Sequence, residues 1–159
     1  MIMANWSILN MKIITPNVTE AGKIHTAIRQ ANRAAREAKT GMFIGSTTRY
    51  LFESNFDHLD DSIYLFGMTR WTPSHQEFAD WVRWFMSHGQ ISELEMRYEE
   101  SGNLIYGCYT FDGSMLSDHY LPSKHFPKYD ESDPDSWPDI LRKALNEHGK
   151  RTCIGKLSA

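Results

Sequence analysis

The chain has no apolar run that could cross a bilayer, because none of its 159 residues belong to a stretch approaching the 18 or so that a spanning helix needs. Residues 1–14 also lack the basic segment followed by an uninterrupted apolar segment that marks a secretory signal. We therefore expect a soluble, cytoplasmic protein with no membrane partner.

Cysteine is scarce, since the chain contains only Cys108 and Cys153. The two are far apart and form no C-x-x-C pair, which argues against a disulfide framework and a cysteine-based zinc site. We expect two free thiols in a reducing compartment, with one disulfide between them as the alternative. Cys108 lies between Gly107 and Tyr109 in a predicted strand, where a packed thiol is commoner than an activated one.

Positive charge is not in excess, because 17 Lys and Arg face 20 Asp and Glu, giving a net charge of −3 with the seven His neutral. This excludes a generally basic nucleic-acid-wrapping protein but allows a local basic patch. The hydrophobic fraction of 41% and the charged fraction of 23% are those of an ordinary globular protein. The length fits a single domain over residues 1–159.

Motifs for common chemistry are missing as well. Neither G-x-x-x-x-G-K-[ST] nor G-x-G-x-x-G occurs, so the usual nucleotide-binding loops are absent from the sequence. There is also no G-x-S-x-G turn to present a nucleophilic serine. We expect no cofactor, no metal and no catalytic residues.

The first half of the chain predicts a strand, a long helix and two further strands. The helix begins at Asn17, three residues before Glu20, a weaker form of the capping box, and can extend to Gly41. The remaining predictions are a strand at Met11–Thr15, a β-like stretch at Met42–Phe52, a polar loop at Ser54–Asp61 and a strand at Ile63–Trp71.

The next segment predicts a second helix and a hairpin. Ser74 and Glu77 form a capping box after Pro73 and begin a helix with a large apolar face. That face consists of Phe78, Trp81, Val82 and Phe85. Ile91–Glu100 alternates with Leu94, Met96 and Tyr98 on one side, and Leu104–Phe111 returns as its hairpin partner.

This order of elements predicts an α+β domain with a ferredoxin-like (α/β plait) two-layer core, an added hairpin strand and a C-terminal helix. The ten residues Thr48–Asp57, TRYLFESNFD, resemble a strand-to-loop segment of some dimeric ferredoxin-like proteins. The resemblance implies the fold and no activity, since many unrelated functions share this fold.

The remaining regions divide the chain further. Residues 1–10 are expected to be a loose lead-in, and residues 11–111 form the plait core with its hairpin. Residues 112–135 read as an irregular, proline-rich segment that is acidic near Asp130 and Asp135. Ser136 is predicted to cap a last helix over 136–149, and 150–159 reads as a basic tail.

A basic stripe on the first helix is the most distinctive charged surface. At 100° per residue, His25, Arg29, Arg33 and Arg36 share one side. The opposite, buried side contains Ile24, Ile28, Ala31, Ala35 and Ala38, with Ala27 and Ala34 at its flanks. The stripe is either a solvated helix face or a surface for phosphates or an acidic partner, because the arginine fork matches both kinds of oxygen.

Three other groups could serve chemistry. Asp57, His58, Asp60 and Asp61 are metal-type ligands, although a surface turn explains them better. Asp118, His119 and His125 could belong to an enzymatic or small-ligand site. The strand aromatics could stack bases or pack in a core or dimer, and they are Tyr50, Phe52, Tyr64, Phe66, Tyr106 and Tyr109.

We therefore expect a small non-enzymatic binding protein that docks on a macromolecule through His25, Arg29, Arg33 and Arg36. An accessory or inhibitory protein of a phage, mobile element or toxin–immunity system would fit this profile. A protein partner is favoured over nucleic acid because the net charge is negative. The alternatives are a nucleic-acid-binding module that uses the first helix, a homodimer through the sheet face, and an enzyme or small-ligand binder with a site near His119 and His125.

Overall fold

The computed structural model describes residues 6–37, 50–57, 61–69 and 71–157, with residue 36 and residues 50–57 described by their backbone. These residues form a mixed α+β structure with one seven-stranded sheet and three α-helices. The helices are α1 (Val18–Glu37), α2 (His75–Met86) and α3 (Trp137–His148). The strands are β1 (Ser7–Ile14), β2 (Tyr50–Asp57), β3 (Ser62–Thr69), β4 (Glu93–Glu100), β5 (Ile105–Phe111), β6 (Met115–Tyr120) and β7 (Lys150–Lys156).

The strands lie in the order β2-β3-β1-β4-β5-β6-β7, and every neighbouring pair is antiparallel. β1 is central to the first four, so that Ile8 faces Met68 of β3 on one side and Glu99 of β4 on the other. The predicted hairpin is confirmed as β4 and β5. The added hairpin strand β5 takes the sheet beyond four strands, as the sequence indicated.

The main core lies between α1, α2 and one face of the sheet. The second helix supplies its largest side chains, since Trp81 and Phe78 are fully buried together with Phe85. The sheet contributes the alternate residues of its central strands, among them Leu9, Met11, Ile13, Ile63, Leu65, Leu94 and Met96. This period-2 pattern leaves the intervening residues on the other face.

The buried side of α1 is largely as predicted. Ile24 and Ile28 are fully buried, and Ala35 and Ala27 are also buried. Ala34 was predicted to flank this side but is exposed, whereas Asn32 is buried. Ala38 and the predicted end of the helix at Gly41 lie outside the described residues.

The predicted start of α2 is confirmed. The backbone N–H of Glu77 donates to the Ser74 hydroxyl over 3.1 Å, and the Ser74 N–H donates to the Glu77 carboxylate over 3.4 Å. The capping box thus satisfies two N–H groups that a helix start would otherwise leave unpaired.

A second, smaller core lies on the opposite face of the sheet, under α3. Leu141 and Leu145 of α3 pack with Tyr106 of β5 and with Leu121. The indole N–H of Trp137 also donates to the Glu99 carboxylate over 3.1 Å, which ties the start of α3 to β4. α3 therefore covers only the part of this face that lies near β4 and β5.

Several predicted boundaries are wrong in the first half of the chain. β1 begins at Ser7, inside the expected lead-in, and Ser54–Asp57 belong to β2 rather than to a loop. The apolar Ile8 lies at an exposed position of β1, so the sequence does not show the alternation of buried and exposed residues that the strand has. The polar residues at the end of β2 are of types common in turns, which is why the sequence predicted a loop there.

The C-terminal region contains two strands that the sequence did not predict. Met115–Tyr120 is β6, whose alternation is masked because the inward position 118 holds an aspartate. Lys150–Lys156 is β7 instead of a loose tail, and as the last strand of the sheet it has no fully buried side chain. Ser136 precedes α3, but its hydroxyl donates to the Asp133 carbonyl and caps nothing.

Both cysteines are free, and Cys108 is buried while Cys153 is exposed. Burial raises the pKa of the Cys108 thiol to about 12, which keeps it protonated and unreactive. Among the described residues, no helix combines the length and the apolar composition needed to cross a membrane.

Candidate functional site

α3 covers only part of the sheet face on which it packs. The rest of that face forms a shallow depression, which we call the sheet-face trough. Its floor is Asn10 and Lys12 of β1, and its two sides are Tyr64 and Phe66 of β3 and Glu95 and Arg97 of β4. The depression has a volume of about 460 Å³. A second depression of about 290 Å³ shares Asn10 and Arg97 with it and continues to Leu141 and Arg142 of α3.

Large apolar side chains lie exposed in this trough and directly beside it. Phe66 is 45% exposed, Tyr64 38%, Met68 37% and Ile8 36%. All four belong to the outward-facing positions of β1 and β3, which are neighbours in the sheet. A contiguous apolar surface of this kind marks an interaction site more often than a single exposed residue does.

The trough contains two cations, of which only one makes an ion pair with a described residue. Arg97 pairs with Glu95 over 2.8 Å within β4. Lys12 Nζ lies 5.4 Å from the centre of the Tyr64 ring, a cation–π contact, and makes no ion pair with any described residue. The trough therefore has aromatic side chains along β3 and, on its floor, one half-buried cation that makes no ion pair with a described residue.

A second concave region, which we call the α2 groove, lies where α2 begins and where β4 and β6 end. It has a volume of about 650 Å³ and is lined by residues that include Thr72, His75, Asn103, Tyr120 and Asp118. Tyr98 and Tyr109 lie at its inner wall.

Asp118 is buried at the base of the α2 groove. One carboxylate oxygen accepts a hydrogen bond from the Tyr98 hydroxyl over 2.7 Å, and the other lies 3.2 Å from His75 Nε2. The Tyr109 hydroxyl donates to the Pro73 carbonyl over 2.6 Å and fixes the loop before α2. Burial and the nearby Asp118 charge raise the pKa of both Tyr98 and Tyr109, so both hydroxyls remain donors.

His75 is the first residue of α2, and its side chain is 47% exposed while that of Asp118 is 9% exposed. Because a carboxylate only accepts hydrogen bonds, Nε2 carries a ring proton, and in the neutral form of the imidazole Nδ1 is then a hydrogen-bond acceptor. Sequence reasoning missed His75. The visible signals were a histidine directly after a strong helix cap and an aspartate at an inward strand position.

The predicted basic stripe lies on α1. Arg29 is exposed, Arg33 is 82% exposed, and His25 is partly buried. Arg33 pairs with Glu37 over 3.0 Å, which offsets part of the local positive charge. The side chain of Arg36 lies outside what is described.

The other predicted imidazoles lie away from the α2 groove. His119 is on the opposite face of β6 from Asp118, because adjacent strand residues point to opposite faces. It packs against Gly149, and the His125 ring stacks on His148 with centroids 4.1 Å apart. Burial lowers the pKa of both His119 and His125, with Arg151 adding to the effect at His119 and His148 at His125. Neither ring bonds a carboxylate among the described residues.

The remaining predicted clusters are only partly visible. His58 and Asp60 lie outside the described residues, as do the side chains of Tyr50, Phe52 and Asp57. Within the described ranges, no group of three His, Cys, Asp or Glu side chains could hold a metal ion. Of the strand aromatics, Tyr64 and Phe66 are exposed while Tyr106 and Tyr109 are buried, so these four form no single stacking platform.

Comparisons with known proteins find no counterpart for this chain. No protein-family model matches it, and no curated protein and no solved structure matches it either. The site therefore has to be interpreted from its own geometry.

Proposed function

We propose that this is a non-enzymatic binding protein that docks on an amphipathic helix of a partner protein through the sheet-face trough. The observation that carries the proposal is an exposed apolar surface on the neighbouring strands β1 and β3, formed by Ile8, Tyr64, Phe66 and Met68. α3 covers the adjacent part of the same sheet face.

The width of the trough fits one helix. Between β3 and α3 it extends over two to three strands, which is roughly 10–14 Å at about 4.8 Å per strand. An α-helix with its side chains is about 10–12 Å across. α3 itself packs on the other part of this face through Leu141 and Leu145, so a helix is an occupant that this sheet already accommodates.

The charge of the trough indicates what the partner helix should present. Glu95, opposite Lys12 on β4, pairs with Arg97, and Lys12 makes no ion pair with a described carboxylate. Lys12 lies beside Tyr64 on the floor of the trough. A partner with an Asp or Glu between its apolar residues would pair with Lys12 while its apolar side chains cover Phe66 and Ile8. Charge pairs of this kind contribute mainly to specificity and to the rate of association.

The architecture supports the same proposal. We propose that β1, α1, β2, β3, α2 and β4 form a ferredoxin-like plait, because the four strands lie in the order β2-β3-β1-β4 with both helices on one face. In such a core the other face of the sheet is available to a further layer. Here that layer is supplied in part by α3 and, in our proposal, in part by the partner.

The proposal can be tested by selecting random peptides on the wild-type protein and counter-selecting them on a Phe66→Asp variant. We expect enriched peptides with apolar residues at i, i+3 or i+4, and i+7, together with an acidic residue. A synthetic consensus peptide should lose binding to Phe66→Asp and bind Lys12→Gln about two- to tenfold more weakly.

The matched control is Val18→Asp, since Val18 is 45% exposed, like Phe66, but lies at the start of α1. This variant should bind the peptide as the wild type does. The proposal is wrong if no peptide is enriched, if the peptides bind Phe66→Asp equally well, or if their consensus lacks helical spacing. Sedimentation showing a dimer that Phe66→Asp dissociates would instead assign the trough to a second copy of this chain.

A further inference from the structure

We infer that the α2 groove is a second binding site, separate from the sheet-face trough, for a small neutral ligand that carries a ring and a hydroxyl or N–H donor. The ligand would donate a hydrogen bond to Nδ1 of His75, which Asp118 holds in place.

The first support is the fixed orientation of the imidazole. Asp118 bonds Nε2 of His75 while its other oxygen accepts from Tyr98, so the carboxylate is held from both sides. The ring edge also contacts Tyr109, with centroids 5.7 Å apart. Nδ1 has no hydrogen-bond partner among the described residues, and the side chain is about half exposed, so this nitrogen is open to the groove and accepts a hydrogen bond in the neutral form of the ring.

The second support is the charge of the groove. No lysine or arginine lines it, so an anionic ligand would find neither of these cations there. A cationic ligand would find no free carboxylate either. Both oxygens of Asp118 are used, and buried Glu100 is occupied by the Thr72 backbone and hydroxyl and by Asn103. A neutral donor is the ligand class that remains.

The third support is the size and composition of the groove. A volume of about 650 Å³ is within the range of sites that hold small molecules. Leu104, Leu121 and Pro122 give apolar surface for a ring, and Ser123 and Thr152 offer further hydroxyls around it. This mixture of apolar wall and few polar groups is typical of sites that orient a small ligand.

The test uses phenol as the probe and anisole as its control, because anisole keeps the ring and the oxygen but has no donor. Binding to the full chain is followed through the amide resonances of Thr72 and Tyr120 and the ring ¹⁵N resonances of His75. We expect phenol to bind with saturation and anisole to bind about three- to tenfold more weakly, as the loss of one hydrogen bond implies.

Two variants address the role of the imidazole. His75→Ala should abolish the preference for phenol, whereas His88→Ala at the other end of α2 should keep it. Asp118→Asn can donate to Nε2 and so should move the ring proton to Nδ1, which the ¹⁵N shifts report, and the preference should disappear. If Asp118→Asn does not fold, the phenol preference of His75→Ala alone tests the role of the imidazole. Equal binding of phenol and anisole, a preference that survives His75→Ala, or no binding of phenol would each overturn the inference.

Discussion

At position 107, the absence of a side chain allows Tyr98 to reach Asp118. Gly107 lies directly opposite Tyr98 in the pairing of β4 with β5. A Cβ at this position would collide with the Tyr98 hydroxyl and with the carbonyl of His119. The hydrogen bond that holds the buried Asp118 carboxylate therefore depends on a glycine one strand away.

We expect Gly107→Ala to destabilise the protein by about 1–3 kcal/mol, the cost of leaving a buried acceptor without its donor. The free energy of unfolding in urea measures this. Gly22→Ala is the matched control, because a Cβ at Gly22 in α1 meets nothing within 4 Å. It should stabilise the helix by about 0.5–1 kcal/mol. An unchanged stability in Gly107→Ala would show that Tyr98 has another way to reach Asp118.

Glu20 should make stability depend on pH. Its carboxylate accepts from the Gln90 backbone N–H and pairs with Lys23, each over 3.1 Å, and these contacts lower the pKa of Glu20 below 4.5. A lowered pKa in the folded state means that the contribution is complete above pH 4.5 and is lost as the pH falls through the folded-state pKa.

Glu20→Gln should therefore lower Tm at neutral pH, and the difference from wild type should shrink in acid. Thermal unfolding followed across the pH range measures both. Glu37→Gln, which removes only an exposed pair with Arg33, should change Tm little at any pH. A Tm difference for Glu20→Gln that is constant with pH would contradict the assignment.

The sequence could not reveal the pair of His75 and Asp118, because the two residues are 43 positions apart. They meet only because the sheet places β6 near the start of α2. The neighbouring Asp118 and His119 suggested a site instead, although consecutive strand residues face opposite sides of a sheet. Local spacing thus predicted the helix cap at Ser74 but not which side chains share a cavity.

Among the elements, β7 contributes partly buried Ile154 to the main core, and the residue that follows the strand is buried there. Leu157 is 6% exposed within that core, and its N–H donates to the Ser114 carbonyl over 2.8 Å. Leu157→Ala should cost about 2–4 kcal/mol in urea unfolding. Cys153→Ala, at an exposed position of β7, should cost far less. Equal costs would show that the end of β7 is not packed as described.

The stripe on α1 has its own test. If His25, Arg29, Arg33 and Arg36 bind phosphates, labelled RNA should bind with a steep salt dependence. An Arg29→Ala, Arg33→Ala, Arg36→Ala variant should then lose both the binding and the slope. Lys143→Ala in α3 provides a control for loss of an exposed cation. No binding of RNA or DNA at low salt would exclude a nucleic-acid role for α1.

Elements with strong periodicity or capping were predictable, and weakly patterned strands were not. α2 has a capping box and a complete apolar face, and β4 alternates clearly, so both agree with the sequence. β6 and β7 have interrupted patterns because they lie toward one end of the sheet and bury few side chains. The apolar face of α3 was predictable, but the face of the sheet on which it packs was not.

At the scale of the whole molecule, the two cores share a single sheet. The main core includes Tyr98 and Tyr109, while the smaller one includes Tyr106 on the other face of β5. We therefore expect one unfolding transition, with Leu65 and Leu145 losing their native NMR signals at the same urea concentration. An earlier loss at Leu145 would show that α3 folds as a separate unit.

The order of strands also places β7 at one border of the sheet. β7 is the outermost strand on its side, and an outermost strand leaves backbone groups unpaired that can join another chain. Here that strand bears the exposed cations Lys150, Arg151 and Lys156, and its pairing with β6 is irregular between Leu116 and Ser117. Both features oppose strand-to-strand aggregation, so the molecule can leave an apolar sheet face open while this border of the sheet resists fibre-like growth.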